Sequence, residues 1–218
     1  MRLVVLFAII VGFLFSGCGD HQHFLSGLQP GKKYIAIQPL GSYDKQRVAF
    51  LKDEIGRFYK TNVLVLPAVG IPKSFIHPQK RDRYCADSIL LFLKQFKNDS
   101  IIEVVGLLHK DIYTIKKDKQ GNIQQPAAKY GAWGVAGLGY LPGDESVISD
   151  NRLKTKDSVL FKHRLKTVVL HEIGHNLGLP HCKVISCIMS DTKEKIATID
   201  NCKNDYCDEC KQKLQNKF

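Results

Sequence analysis

The chain has 218 residues, 44% of them hydrophobic and 24% charged, with a formal net charge of +11. That length suits one compact domain with a sizeable core, and no internal repeat or low-complexity tract argues for a solenoid or a disordered polymer. The basic excess invites a nucleic-acid reading, but the lysines are scattered, with concentrations at 116–119 and 193–218. No nucleic-acid-binding motif accompanies them, so the charge reads as a solvated lysine-rich surface.

Met1 and Arg2 give a short basic start, and residues 3–15 form an almost unbroken apolar run. That run is shorter than the ~20 residues of a transmembrane helix and suits the hydrophobic region of a signal peptide. Phe15-Ser16-Gly17-Cys18 resembles a bacterial lipobox, with Phe replacing the usual Leu. The resemblance implies a signal peptide over 1–17 and a lipid on Cys18. The mature chain would then be an exported, membrane-anchored lipoprotein on the periplasmic or cell-surface side. Residues 18–31 are polar and rich in glycine and read as a tether. His21 and His23 within them read as exposed linker histidines.

Residues 32–218 carry the domain. A short strand is expected at 34–37 and a helix at 43–59, where Val48, Leu51, Ile55 and Phe58 recur at helical spacing. An apolar strand follows at 63–66, a second helix at 83–96 through Ile89, Leu90, Leu93 and Phe96, and a third strand at 101–108. This β-α-β-α-β order predicts an α/β fold, with a mixed, mostly parallel sheet covered by helices. The continuously apolar strands fit burial on both faces. Residues 116–129 are charged and read as a surface loop. Residues 131–140 repeat glycine, which weakens a strand but permits close backbone approach by another chain. One more strand is expected at 146–149. A helix then runs from about 158 to 177, with Asp157 or Ser158 as N-cap and Val159, Leu165, Val168, Val169 and Ile173 on one face.

That helix ends in the most informative stretch of the chain. Residues 171–181 read His171-Glu172-Ile173-Gly174-His175-Asn176-Leu177-Gly178-Leu179-Pro180-His181, or H-E-x-x-H-x-x-G-x-x-H. Residues four apart share a helix face, so His171 and His175 reach one ion together. Glu172 lies about 100° round the helix, close to that ion but not a ligand, and is placed to take a proton from zinc-bound water. Gly178 can adopt positive φ and turn the chain back, and Pro180 helps stop the helix, so that His181 supplies a third nitrogen. Three protein ligands and one open position make the catalytic pattern of zinc.

Four cysteines follow: Cys182, Cys187, Cys207 and Cys210, the last two as C-x-x-C. Two thiolate pairs suit a tetrahedral structural zinc. In an exported chain, two disulfides, Cys182–Cys187 and Cys207–Cys210, are the rival outcome. Cys85 and Cys202 are left as buried thiols or as a pair.

The whole pattern, H-E-x-x-H-x-x-G-x-x-H-C-x4-C-x-M-x17-C-x-x-C, resembles the signature of the archaemetzincins, zinc-dependent peptidases of the metzincin group. The resemblance is strong over 171–210 and general over 32–170. It implies a compact metzincin-like fold and two zinc ions per chain. The catalytic zinc would sit on His171, His175 and His181, and the structural zinc on Cys182, Cys187, Cys207 and Cys210 in a small C-terminal subdomain. Glu172 would be the general base. Met189 would be the Met-turn residue, an apolar floor beneath the catalytic zinc. By the same analogy, an antiparallel edge strand near 133–138 offers Gly134, Val135 and Ala136 to a peptide or protein substrate. The expected activity is peptide-bond hydrolysis. The alternatives are a lipid-anchored module that binds peptide in the same cleft without cutting it, and a hydrolase of a non-peptide amide.

Overall fold

The computed structural model describes residues 28–29, 31–80, 82–191 and 195–215. The leader, Cys18 and the linker histidines lie outside the described residues. Five strands form the main sheet: β1 (Tyr34–Pro39), β2 (Asn62–Val65), β4 (Ile101–Leu108), β7 (Gly137–Gly139) and β8 (Glu145–Ser149), in the order β2-β1-β4-β8-β7. Four of them run parallel, and β7 lies antiparallel to β8 at one edge.

Alternation along the strands divides the core. Ile35, Ile37, Val105, Leu107 and Ile148 face one side and pack with Val48, Leu51 and Ile55 of α1 (Lys45–Tyr59), and with Leu165, Val168, Val169 and Ile173 of the long helix near the end of the chain. Ala36, Val104, Leu108 and Val147 face the other side, against Ile89, Leu90 and Leu93 of α2 (Ala86–Leu93). Strands buried on both faces carry no polar stripe, which is why they read as unbroken apolar runs.

A smaller sheet sits beside the main one, in the order β3-β5-β6: β3 (Arg83–Cys85), β5 (Asp111–Thr114) and β6 (Trp133–Val135). It accounts for two departures from the sequence reading. The helix expected over 83–96 begins only at Ala86, because Arg83–Cys85 is extended and pairs with β5. The single strand expected near 133–138 is two strands in two sheets. Gly134 and Val135 pair antiparallel with β5, Ala136 links the sheets while accepting a hydrogen bond from the Ser149 amide at 2.8 Å, and Gly137–Gly139 forms the edge of the main sheet. The loop over 116–129 closes on a one-turn helix, α3 (Ala127–Tyr130).

The long helix is α4 (Ser158–Asn176). Asp157 caps it, accepting from the amides of Val159 at 2.8 Å and Leu160 at 3.1 Å. Its first turn projects from the body, so Val159, expected on the apolar face, is 76% exposed. Two short helices, α5 (Ile196–Asp200) and α6 (Asp208–Gln215), complete the C-terminal part. Among the described residues, no helix is long and apolar enough to cross a membrane.

Candidate active site

The end of α4 is built to turn a histidine back onto the helix. The Leu177 amide donates to Ile173 and the Gly178 amide to His175; Gly178 then takes φ 85°, a left-handed conformation open to glycine. The Leu179 amide donates to Gly174 at 2.9 Å, and two residues later His181 faces the two helical histidines. The three imidazole centroids are 4.6, 4.8 and 5.3 Å apart. One ring nitrogen from each falls within 4.8 Å of the others.

Two of these rings are held in one tautomer. Nδ1 of His171 donates to the Ile188 carbonyl at 2.7 Å, and Nδ1 of His175 donates to the Leu179 carbonyl at 2.8 Å. Each Nε2 is thereby left as a lone-pair donor, the arrangement that supporting hydrogen bonds give a metal-binding histidine. Burial, reinforced by the neighbouring His175, lowers the His171 pKa to about 3, and burial lowers that of His175 as well. Both rings are therefore neutral and able to ligate at neutral pH.

Glu172 is buried under the antiparallel edge strand. A Cβ added at Gly137 would lie 2.7 Å from the Glu172 Cγ and Oε1, so glycine is what lets β7 close over the carboxylate. Burial pushes the Glu172 pKa up to about 8, against a hydrogen bond from the Gly139 backbone. Met189 is fully buried beneath α4, where a Cβ at Gly174 would come within 2.5 Å of its sulfur. The four residues 171, 172, 175 and 181 share a cleft of about 1220 Å³ with the backbone of residues 134–139.

The four cysteines Cys182, Cys187, Cys207 and Cys210 form a second cluster, with their sulfurs within 4.8 Å of one another. All are free thiols, as are Cys85 and Cys202. The Cys182–Cys207 and Cys187–Cys210 sulfur separations are 3.6 and 3.8 Å. A tetrahedron with metal–sulfur bonds of about 2.3 Å has edges of about 3.8 Å, so the cluster fits a structural zinc. Amides of Val184 and Cys207 donate to the Cys182 and Cys187 sulfurs at 3.4 and 3.3 Å. Both of these close pairs run across the two motifs, unlike the disulfides considered from spacing.

Three supporting groups escape the motif. Glu103, the one carboxylate in apolar β4, is buried. It accepts from the Asn176 amide at 2.7 Å and the Ser146 hydroxyl at 3.0 Å, tying the last residue of α4 to the central sheet. A lone acid in an apolar strand was the available signal. Tyr59 and Tyr206 both donate to the Leu170 carbonyl, at 3.1 and 3.0 Å, just ahead of His171. Arg83 and Arg152 share Asp111 at the cleft wall, a contact between three distant segments that leaves no local pattern.

Known proteins match this arrangement along most of the chain. The profile of peptidase family M54 covers residues 53–216. The archaemetzincin of Archaeoglobus fulgidus is 32% identical over 181 residues, which is 83% of this chain and 98% of that protein. The archaemetzincin of Methanopyrus kandleri is 30% identical over 175 residues, 78% of this chain and 90% of that one. The crystal structure of the Archaeoglobus protein, complexed with malonate, superposes with a TM-score of 0.65 at 30% identity, covering 83% of this chain and 99% of that one. The Methanopyrus structure gives 0.70 at 23% identity, covering 87% and 97%, and supports the fold. A histidine triad and a cysteine tetrad that fit zinc, in a fold shared with these relatives, place the chain in the archaemetzincins, the zinc-dependent metallopeptidases of peptidase family M54.

Proposed function

We propose that this metallopeptidase hydrolyses peptide bonds with Glu172 as general base and then general acid. His171, His175 and His181 hold the catalytic zinc; Cys182, Cys187, Cys207 and Cys210 hold the structural one. A zinc ion held by the three histidines would supply Lewis acidity toward the substrate carbonyl and the attacking water. Glu172, kept ionised beside the positive charge that the three histidines would hold, accepts the proton of the attacking water and passes it to the departing amine. Its burial under β7 keeps the carboxyl away from bulk water. Met189 floors the site. A substrate backbone lies along residues 134–139, where Gly137, Leu138 and Gly139 line the cleft and leave one edge of β7 for a new strand.

The observation that carries this reading is the convergence of three histidines, two with Nδ1 fixed on a backbone carbonyl, beside a buried carboxylate. The test replaces Glu172 by Gln and measures cleavage of a mixed peptide library at two zincs per chain, with a chelator control. Turnover should fall by at least ~100-fold, the scale of lost general acid–base catalysis. Undiminished turnover would remove Glu172 from the mechanism. Peptides that bind uncut to the unaltered protein would favour a binding module.

The same proposal extends to location. The apolar run at 3–15 and Phe15-Ser16-Gly17-Cys18 support export, processing before Cys18 and a lipid anchor there. Mass spectrometry of the membrane fraction checks it: a mature chain beginning with unmodified residues would refute the anchor.

A further inference from the structure

We infer that the cleft selects peptides carrying a carboxylate about three residues from the bond under attack. The inference rests on the peptidase reading of the same cleft. Six cationic side chains line it: Lys80, Arg83, Lys116, Lys129, Arg152 and Lys195. Among the described residues, the acids lining it are Glu172 and Asp191. Glu172 belongs to the chemistry, so the wall itself is strongly positive, and a cleft lined by one sign of charge focuses its field on an entering ligand.

Two arrangements make this wall more than a scatter of lysines. The Arg83 and Arg152 guanidiniums both bind Asp111, at 2.8 and 2.7 Å, so two cations are held in place by one anion and a net positive charge remains. The Arg83 guanidinium also donates to the Ala132 carbonyl at 2.9 Å, and that of Arg152 occupies the space where any side chain at position 134 would go. Gly134 is therefore the residue that admits a guanidinium to the cleft wall. Next to it, Lys116 and Lys129 place their ammonium groups 4.6 and 4.9 Å from the Trp133 ring centroid. Cation–π attraction holds both charges on one indole at the cleft wall.

The spacing follows from the chain. Gly137 touches Glu172, whereas Gly134 touches Arg152. Three residues of backbone span at most about 10 Å, so a peptide passing Glu172 meets the cationic wall within about three residues of the reacting carbonyl. An acidic side chain and a free C-terminal carboxylate both supply the group.

The experiment measures binding and cleavage separately on the zinc-loaded protein. One fluorescent neutral peptide is compared with versions carrying Glu or Lys at each position up to four residues either side of the centre, with free or amidated C terminus. Acidic versions should bind about tenfold tighter at low salt, and the preference should collapse near 1 M salt, where the Debye length is about 3 Å. Lys80→Gln with Lys129→Gln should remove most of that preference, whereas Lys45→Gln with Lys52→Gln, on α1, should keep it. Amidation that abolishes the preference assigns it to the C terminus; preference that persists assigns it to a side chain. Equal binding of acidic, neutral and basic peptides overturns the inference, and so does an oligonucleotide that binds tightly while peptides go undiscriminated. Because binding is read without turnover, loss of cleavage alone refutes the peptidase reading and leaves the charge preference decided.

Discussion

Replacing Glu103 by Gln tests how the active-site helix is fixed to the sheet. Full burial raises the Glu103 pKa to about 8, with smaller contributions from Asp144 and Glu145, against the hydrogen bonds of Asn176 and Ser146. In the unfolded chain the group titrates near 4.3, so between that pH and about 8 the folded protein holds a proton that the unfolded one has lost. Stability must then fall as pH rises through this window, by about 1.4 kcal/mol per unit, and level off above the folded pKa. From pH 6 to pH 8 the decline is about 2–3 kcal/mol. A glutamine side chain has no proton to release in this range, so the Glu103→Gln variant lacks this decline. Histidine and cysteine protonation also shift stability through zinc binding, but equally in both proteins, and they cancel in the difference. The assay is urea unfolding of both proteins at several pH values with zinc buffered. At a 2–4 °C shift per kcal/mol, the same effect moves the gap in melting temperature by about 4–12 °C. A difference in stability that stays flat from pH 6 to 8 would refute a proton on Glu103.

Gly137→Ala should drive a methyl into Glu172 and lower kcat by at least ~10-fold while two zincs remain bound, measured by peptide turnover and metal analysis together. Cys207→Ser should drop zinc from two per chain toward one and destabilise the fold by several kcal/mol; unchanged metal content would sever Cys207 from the second site. Asp157→Ala should cost about 1 kcal/mol of stability by removing the α4 cap, with no change in zinc content or turnover, since the cap lies at the far end of the helix from the histidines.

Much of this molecule was legible because its signals are local. The helix carrying His171 and His175 was readable from its period, its cap from Asp157, and its end from Gly178, whose positive φ is the feature expected of it. The central parallel strands were readable because burial on both faces leaves them mostly apolar. The segment over 131–140 was harder, because an edge strand has no continuous apolar face and because one short stretch there serves two sheets. Its glycines report close neighbours from elsewhere in the chain, Arg152 at Gly134 and Glu172 at Gly137, which no window of sequence displays. β5 was passed over for a similar reason: four residues directly after β4 give too little pattern to separate from a loop.

The carbonyl that orients His171 belongs to Ile188, which lies between Cys187 and Met189, and the Cys182 amide, next to His181, donates to the Met189 carbonyl at 2.7 Å. The two metal centres therefore share one short piece of backbone. Fixing that piece with an ion among the cysteines prepares the histidines, and reciprocity requires the histidine site to return the same factor. Losing the ion among the cysteines then weakens zinc binding at the histidines, and a chelator that strips one centre loosens the other.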